Sequence, residues 1–123
     1  MIKNSLLVFI GGGIGSILRY LISHIFLKYN TSSFPWATFF ANILGCLIIG
    51  WLTGSILKSS STDDTIKLLL VTGFCGGFTT FSTLSLENYN FIQNNHYCLA
   101  LIYTLSSIII GILAVFIGFK STN

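Results

Sequence analysis

The stretch Gly73-Phe74-Cys75-Gly76-Gly77-Phe78-Thr79-Thr80-Phe81-Ser82-Thr83-Leu84 decides how this chain is read. It sits inside a long apolar run, yet it makes a poor continuous helix. A Gly-Gly pair is followed closely by the hydroxyls of Thr79, Thr80, Ser82 and Thr83. Each glycine costs about 1 kcal/mol relative to alanine in a helix interior. Two readings stand side by side. In one, the helix breaks at membrane depth, where irregular backbone persists only if it is buried or lines a cavity. Unwound carbonyls then suit a cation, and a half-helix N-terminus suits an anion. In the other, this is a helix interface rich in small and hydroxyl residues.

Working outward, the whole chain points to lipid. Of 123 residues, 53% are hydrophobic and 7% are charged, and the mean hydropathy is +0.84. Six Lys/Arg and three Asp/Glu are too few for a soluble surface, which carries about 25–35% charged residues. Disorder requires the opposite composition. Four segments, at about 5–27, 34–57, 66–92 and 97–119, are each long enough to span hydrocarbon. We therefore expect an all-α membrane protein: one four-helix transmembrane domain over 1–123, with the third helix broken mid-membrane. The N-terminal run passes Arg19 without a small-residue cleavage site and reads as a retained helix rather than a signal peptide.

The breaks carry turn chemistry. Tyr29-Asn30-Thr31-Ser32-Ser33 is a polar turn, and Pro35 suits the first turn of the second helix. Ser61-Thr62-Asp63-Asp64 resembles a helix N-terminus, with acids at the positive end of the dipole. Gln93-Asn94-Asn95-His96 is the last turn. Gly11/Gly15 and Gly50/Gly54 are four apart, as helix-packing pairs are. An even number of spans puts Lys3, Lys58, Lys67 and Lys120 on the terminal side, with Lys28 opposite. The positive-inside rule then places both termini in the cytoplasm.

Ionisable groups at the helix centre cost roughly 2.5–3.5 kcal/mol, which makes them functional candidates. Arg19 in the first span and Glu87 in the third qualify, with snorkelling to an interface as the other reading of each. A cation without a carboxylate in the first span tilts the protein toward anions. Thr38 and Asn42 share one face of the second helix, and Tyr103 and Ser107 share one face of the fourth. They offer hydroxyl and amide donors, and Phe81 offers a positive ring edge. Such groups can replace the water of a small anion.

Other chemistry is poorly served. His24 and His96 have no Cys, Asp or Glu at ligand spacing. Asp63 and Asp64 are adjacent and solvated. Gly11-Gly12-Gly13-x-Gly15 lies in an apolar span, so it is not a phosphate loop. Cys46, Cys75 and Cys98 form no CxxC pair and read as small hydrophobes. No basic stripe indicates nucleic acid.

These residues resemble the Fluc (CrcB) family of fluoride ion channels over essentially the whole length. The match runs from Gly11-Gly12-Gly13-x-Gly15 to Arg19-Tyr20, through Thr38, Asn42 and Gly45, to Gly73–Thr83 and Glu87. The resemblance implies a four-helix subunit of an antiparallel dimer, with two narrow pores, in the cell membrane. It implies a structural, untransported Na⁺ at the dimer centre, on backbone carbonyls at the positions matching Gly76 and Thr79. It implies a fluoride pathway along Asn42, Phe81, Ser82, Thr83, Leu84, Tyr103 and Ser107, with Arg19 and Glu87 as associated charges. The function implied is passive export of cytoplasmic fluoride, and no enzymatic activity.

One position departs from the family. Its second third-helix phenylalanine falls on Leu84, about 4.5 Å along the axis from Phe81. Leucine has the bulk but no ring edge. The partner is thus a second copy or a related subunit in a heterodimer, the latter inactive or weakly active alone. A four-helix multidrug or cation exchanger is the rival class, but it requires a carboxylate in the first span, where this chain has Arg19.

Overall fold

The computed structural model describes residues 1–60 and 63–123. Among them the chain is all helical, and four helices are long and apolar enough to cross a membrane. Helix 1 is Ile2–Tyr29, helix 2 is Trp36–Lys58, the third span is Asp64–Gln93, and helix 4 is Tyr97–Lys120. The observed bounds lie within three residues of the expected ones, with helix 2 starting two residues later than expected. Pro35 stands at the cap just before helix 2 rather than inside it. Asp63 caps the third span, its carboxylate accepting from the Thr65 N–H at 3.0 Å. Ser61 and Thr62 of that expected N-terminus lie outside the described residues. Asn95 adopts a left-handed φ of 61° in the last turn, a conformation asparagine tolerates better than most residues.

Two seams hold the bundle. Helix 1 lies along the leading half of the third span, and helix 2 lies along helix 4. In lipid, hydrocarbon gives helices no reason to associate by burial, so close backbone approach must do it. A Cβ on Gly11 or Gly15 would overlap the carbonyl oxygen of Leu69 or Phe74. From the other side, a Cβ on Gly77 would overlap the Gly12 carbonyl. In the second seam, Gly50 abuts the Val115 carbonyl and Gly118 the Leu47 carbonyl. The sequence pairs Gly11/Gly15 and Gly50/Gly54 thus do pack helices, and Gly73/Gly77 and Gly118 answer them. Lys58 closes the second seam by donating to the Thr122 carbonyl at 2.9 Å.

The third span is not one helix. After Asp64–Ile66 the chain widens over Lys67–Cys75 into i→i+5 turns, then tightens for Gly76–Phe78. Thr79 (φ −86°, ψ 157°) and Thr80 (φ −150°, ψ 123°) are extended. Helix resumes at Phe81–Gln93. The break expected at the glycine pair therefore falls just after it, on two β-branched residues at ease in extended backbone.

Candidate functional site

A break in the middle of a span leaves backbone groups without partners, and each would cost free energy in lipid. Their fates define the site. The Thr79 N–H still reaches back to the Cys75 carbonyl at 3.0 Å, and the Thr79 hydroxyl donates to the same oxygen at 2.8 Å. The Thr80 N–H, which has left the helix, donates to Oδ1 of Asn42 at 2.8 Å. Nδ2 of Asn42 donates in turn to the Thr80 carbonyl at 3.1 Å. One side-chain amide thus satisfies both polar groups of one residue, as a neighbouring strand would.

The Gly77 carbonyl accepts from Nε of Arg19 at 3.2 Å and from the Ser16 hydroxyl at 3.4 Å. Arg19 therefore does not snorkel; it points at the break. The carbonyls of Gly76, Phe78 and Thr79 accept no hydrogen bond among the described residues.

The trailing half opens with its own cap. Oγ1 of Thr80 accepts from the Thr83 N–H at 3.3 Å, donates to Oγ1 of Thr83 at 3.2 Å, and lies 3.3 Å from Oγ of Ser82. The hydroxyl run is thus a cap in which Thr80, Ser82 and Thr83 turn toward one another. The N–H groups of Phe81 and Ser82 have no intrahelical acceptor, as the first two of any helix do. The break consequently brings a C-terminal end, rich in free carbonyls, against an N-terminal end rich in free N–H groups. The first favours a cation and the second an anion.

Beside it runs a groove of about 540 Å³. Gly76, Thr79 and Thr80 line it; of the pathway residues expected from sequence, Asn42, Phe81, Leu84 and Ser107 line it too, whereas Ser82, Thr83 and Tyr103 do not. Phe81 is 80% exposed. This large ring on the trailing half is left bare, with no ring partner among the described residues.

Farther along, Oγ1 of Thr38 donates to Oε1 of Glu87 at 2.5 Å, with Thr38 only 8% exposed. Glu87 is thereby held by a hydroxyl from helix 2 and does not reach for an interface. Tyr103 is fully buried, edge-on to Phe34 at 5.3 Å and to Phe91 at 6.1 Å. Its hydroxyl faces the Thr38–Glu87 pair without a well-formed hydrogen bond to either. The Ser107 hydroxyl, one turn away, is buried and unpartnered too. A buried hydroxyl without a partner is rare enough to need a reason. Tyr103 and Ser107 thus sit on one helix face, as expected, with hydrogen-bonding capacity unspent.

Sequence reasoning missed the Ser16 contact and the double use of Asn42. The first had no signal, since a serine on an apolar helix is ordinary. The second had one: an amide on helix 2 at the depth of a glycine pair on its neighbour.

A hard monovalent cation wants oxygen ligands, and carbonyls serve. Gly76 and Thr79 bring two uncommitted carbonyls, and the space beside Gly76 is open: a Cβ there would meet nothing within 4 Å. The donor set fits such an ion but supplies only part of a coordination shell.

Residues 6–119 match the family described as CrcB-like protein, Camphor Resistance (CrcB). The chain is 46% identical over 123 residues to a fluoride-specific ion channel FluC of Azobacteroides pseudotrichonymphae, covering 100% of this chain and 98% of that one. It is 41% identical over 116 residues to a FluC of Flavobacterium psychrophilum, with 94% of each chain covered. It is similar also to FluC 2 of Clostridium acetobutylicum, at 45% over 112 residues, 91% of this chain and 92% of that one.

Proposed function

The chain belongs to the CrcB family, and from that premise we propose how its break and groove conduct fluoride. It is a multi-pass membrane protein and a subunit of a fluoride-specific ion channel, not an enzyme. The observation that carries the reading is the break at Thr79-Thr80, opening on a groove with Asn42, Phe81 and Ser107.

Fluoride is small and strongly hydrated, so a path through lipid must return what water provided. The spare hydroxyls of Ser107 and Tyr103, the second Nδ2 hydrogen of Asn42, Ser82 and Thr83, and the Phe81 ring edge are suited to that. Conduction is passive in this reading. In the cell membrane, fluoride leaves down its own gradient. Arg19 and Glu87 flank the path as charges already tied to the protein.

The chain works as a dimer in this reading. The bare Phe81, the open side of Gly76 and the half-complete oxygen set at Gly76 and Thr79 all support a second subunit in antiparallel orientation. Na⁺ between the two breaks would hold the carbonyl ends together without being transported. The partner is a second copy of this chain or a related subunit. Leu84, which stands where the family has a ring, favours the related subunit. Numbered channels among the relatives (FluC 1, FluC 2) are consistent with organisms carrying more than one subunit.

Purified protein reconstituted alone in liposomes tests this with a fluoride electrode. Efflux of fluoride, with chloride retained, is the expected result. A well-folded dimer that passes no fluoride alone, and does so once a related subunit is added, replaces the homodimer by the pair. No efflux in either case removes the conducting role.

A further inference from the structure

We propose that Arg19 is a positioning residue of the break, acting through the Gly77 carbonyl and not as a fixed charge that draws anions. The inference builds on the conducting role above but stands on geometry of its own.

Depth comes first. Counting 1.5 Å per residue, Arg19 lies roughly 5 Å from the middle of helix 1 and about 15 Å from its Tyr29 end. That is more than the length of its side chain, so it cannot snorkel to the Tyr29 end, and a partner inside the protein is favoured. Its recorded partner is a backbone oxygen, not a carboxylate. Glu87, the acid of the third span, is held by Thr38.

The Gly77 oxygen has an equal need. Had the helix continued, the Phe81 N–H would have taken it. The extended Thr79 and Thr80 carry Phe81 away. The part-buried cation and the carbonyl released by the break therefore answer each other, with the Ser16 hydroxyl as a second donor to the same oxygen. Gly77 makes the approach possible, because any side chain there would overlap the Gly12 carbonyl and push helix 1, with Arg19, off the break.

The bond is made by Nε, on the inner side of the guanidinium, 3.2 Å from the oxygen. A lysine keeps the charge but has no donor at that place on its stem. The brace also has an opposite number. Asn42 fixes Thr80 from helix 2, and Arg19 fixes Gly77 from helix 1. The peptides between them, including the uncommitted Phe78 and Thr79 carbonyls, are held at both ends.

Arg19→Lys and Arg19→Met separate the two roles, with Ser16→Ala as a mild variant of the same brace. If Arg19 positions the break, both Arg19 variants lose fluoride efflux by about tenfold or more, lysine no better than methionine, and equally at low and high salt. Should lysine keep wild-type efflux, and methionine's deficit shrink as salt screens the charge, the proposal is overturned. A second readout does not depend on conduction. The chain has glycine–phenylalanine pairs at Gly73-Phe74, Gly77-Phe78 and Gly118-Phe119. Carbonyl-¹³C glycine with ¹⁵N phenylalanine therefore isolates these carbonyls by NMR. In both Arg19 variants the Gly77 signal should move upfield, as a carbonyl does on losing a donor, while Gly118 stays in place. An unmoved Gly77 signal overturns the brace even where efflux is lost. A moved signal in a protein whose wild type conducts nothing keeps the brace and discards the channel.

Discussion

A Cβ on Gly77 would collide with the backbone of Gly12, whereas a Cβ on Gly76 would meet nothing within 4 Å. The two glycines are adjacent, both in a helical turn before the same break, and their surroundings are opposite. Gly77 belongs to the seam with helix 1, where backbones touch and Arg19 and Ser16 reach across. Gly76 belongs to the groove face, with Phe81 and Leu84, which nothing among the described residues covers. The difference teaches that one dipeptide serves two demands. One glycine lets a neighbouring helix in, and the other leaves a carbonyl and its space unobstructed.

Replacing each glycine by alanine is the direct way to break this contrast. Gly77→Ala should have the largest effect. The clash is with backbone, which cannot rotate aside, so we expect overpacking to cost about 1–3 kcal/mol and the fluoride flux to be lost with it. Thermal unfolding in detergent and liposome efflux measure the two. Phe81→Ile tests the open face at its most exposed residue. It should lower flux while unfolding temperature and elution volume stay those of wild type; unchanged flux would show that no ring is required there. Gly76→Ala should be the mildest for the subunit itself. The residue has helical angles (φ −63°, ψ −37°), so alanine costs nothing in backbone and gains up to about 1 kcal/mol. Its expected signature is intact folding with weakened dimer assembly. Equal destabilisation by both alanines would erase the distinction.

How far the sequence alone reaches is clear from the same pair. The spans were legible because twenty apolar residues in a row have few other uses. The break was legible as a possibility because two glycines and a hydroxyl cluster contradict the apolar run around them. Which glycine faces which neighbour was not. In water, polar and apolar stripes reveal a helix's orientation. Here lipid-facing and inward-facing positions are both apolar, and that signal vanishes. Arg19 and Asn42 could be picked out by type and depth. That each is spent on a backbone group of the break depends on where Thr79 and Thr80 turn, and two extended residues leave no periodic trace. The widened winding of Lys67–Cys75 is silent in sequence for the same reason: it arises from how the leading half meets helix 1.

That wide stretch has a consequence for how the chain can change. It acts as a vernier: by letting each turn take up an additional residue, it sets the angular phase at which Gly73 and Gly77 arrive opposite helix 1. Removing one residue there would advance everything after it by about 100°, swinging Gly77 out of the seam and Gly76 out of the groove. The connecting loops can gain or lose length with little penalty, but this segment upstream of the break is indexed, and drift in its length would uncouple the two faces at once.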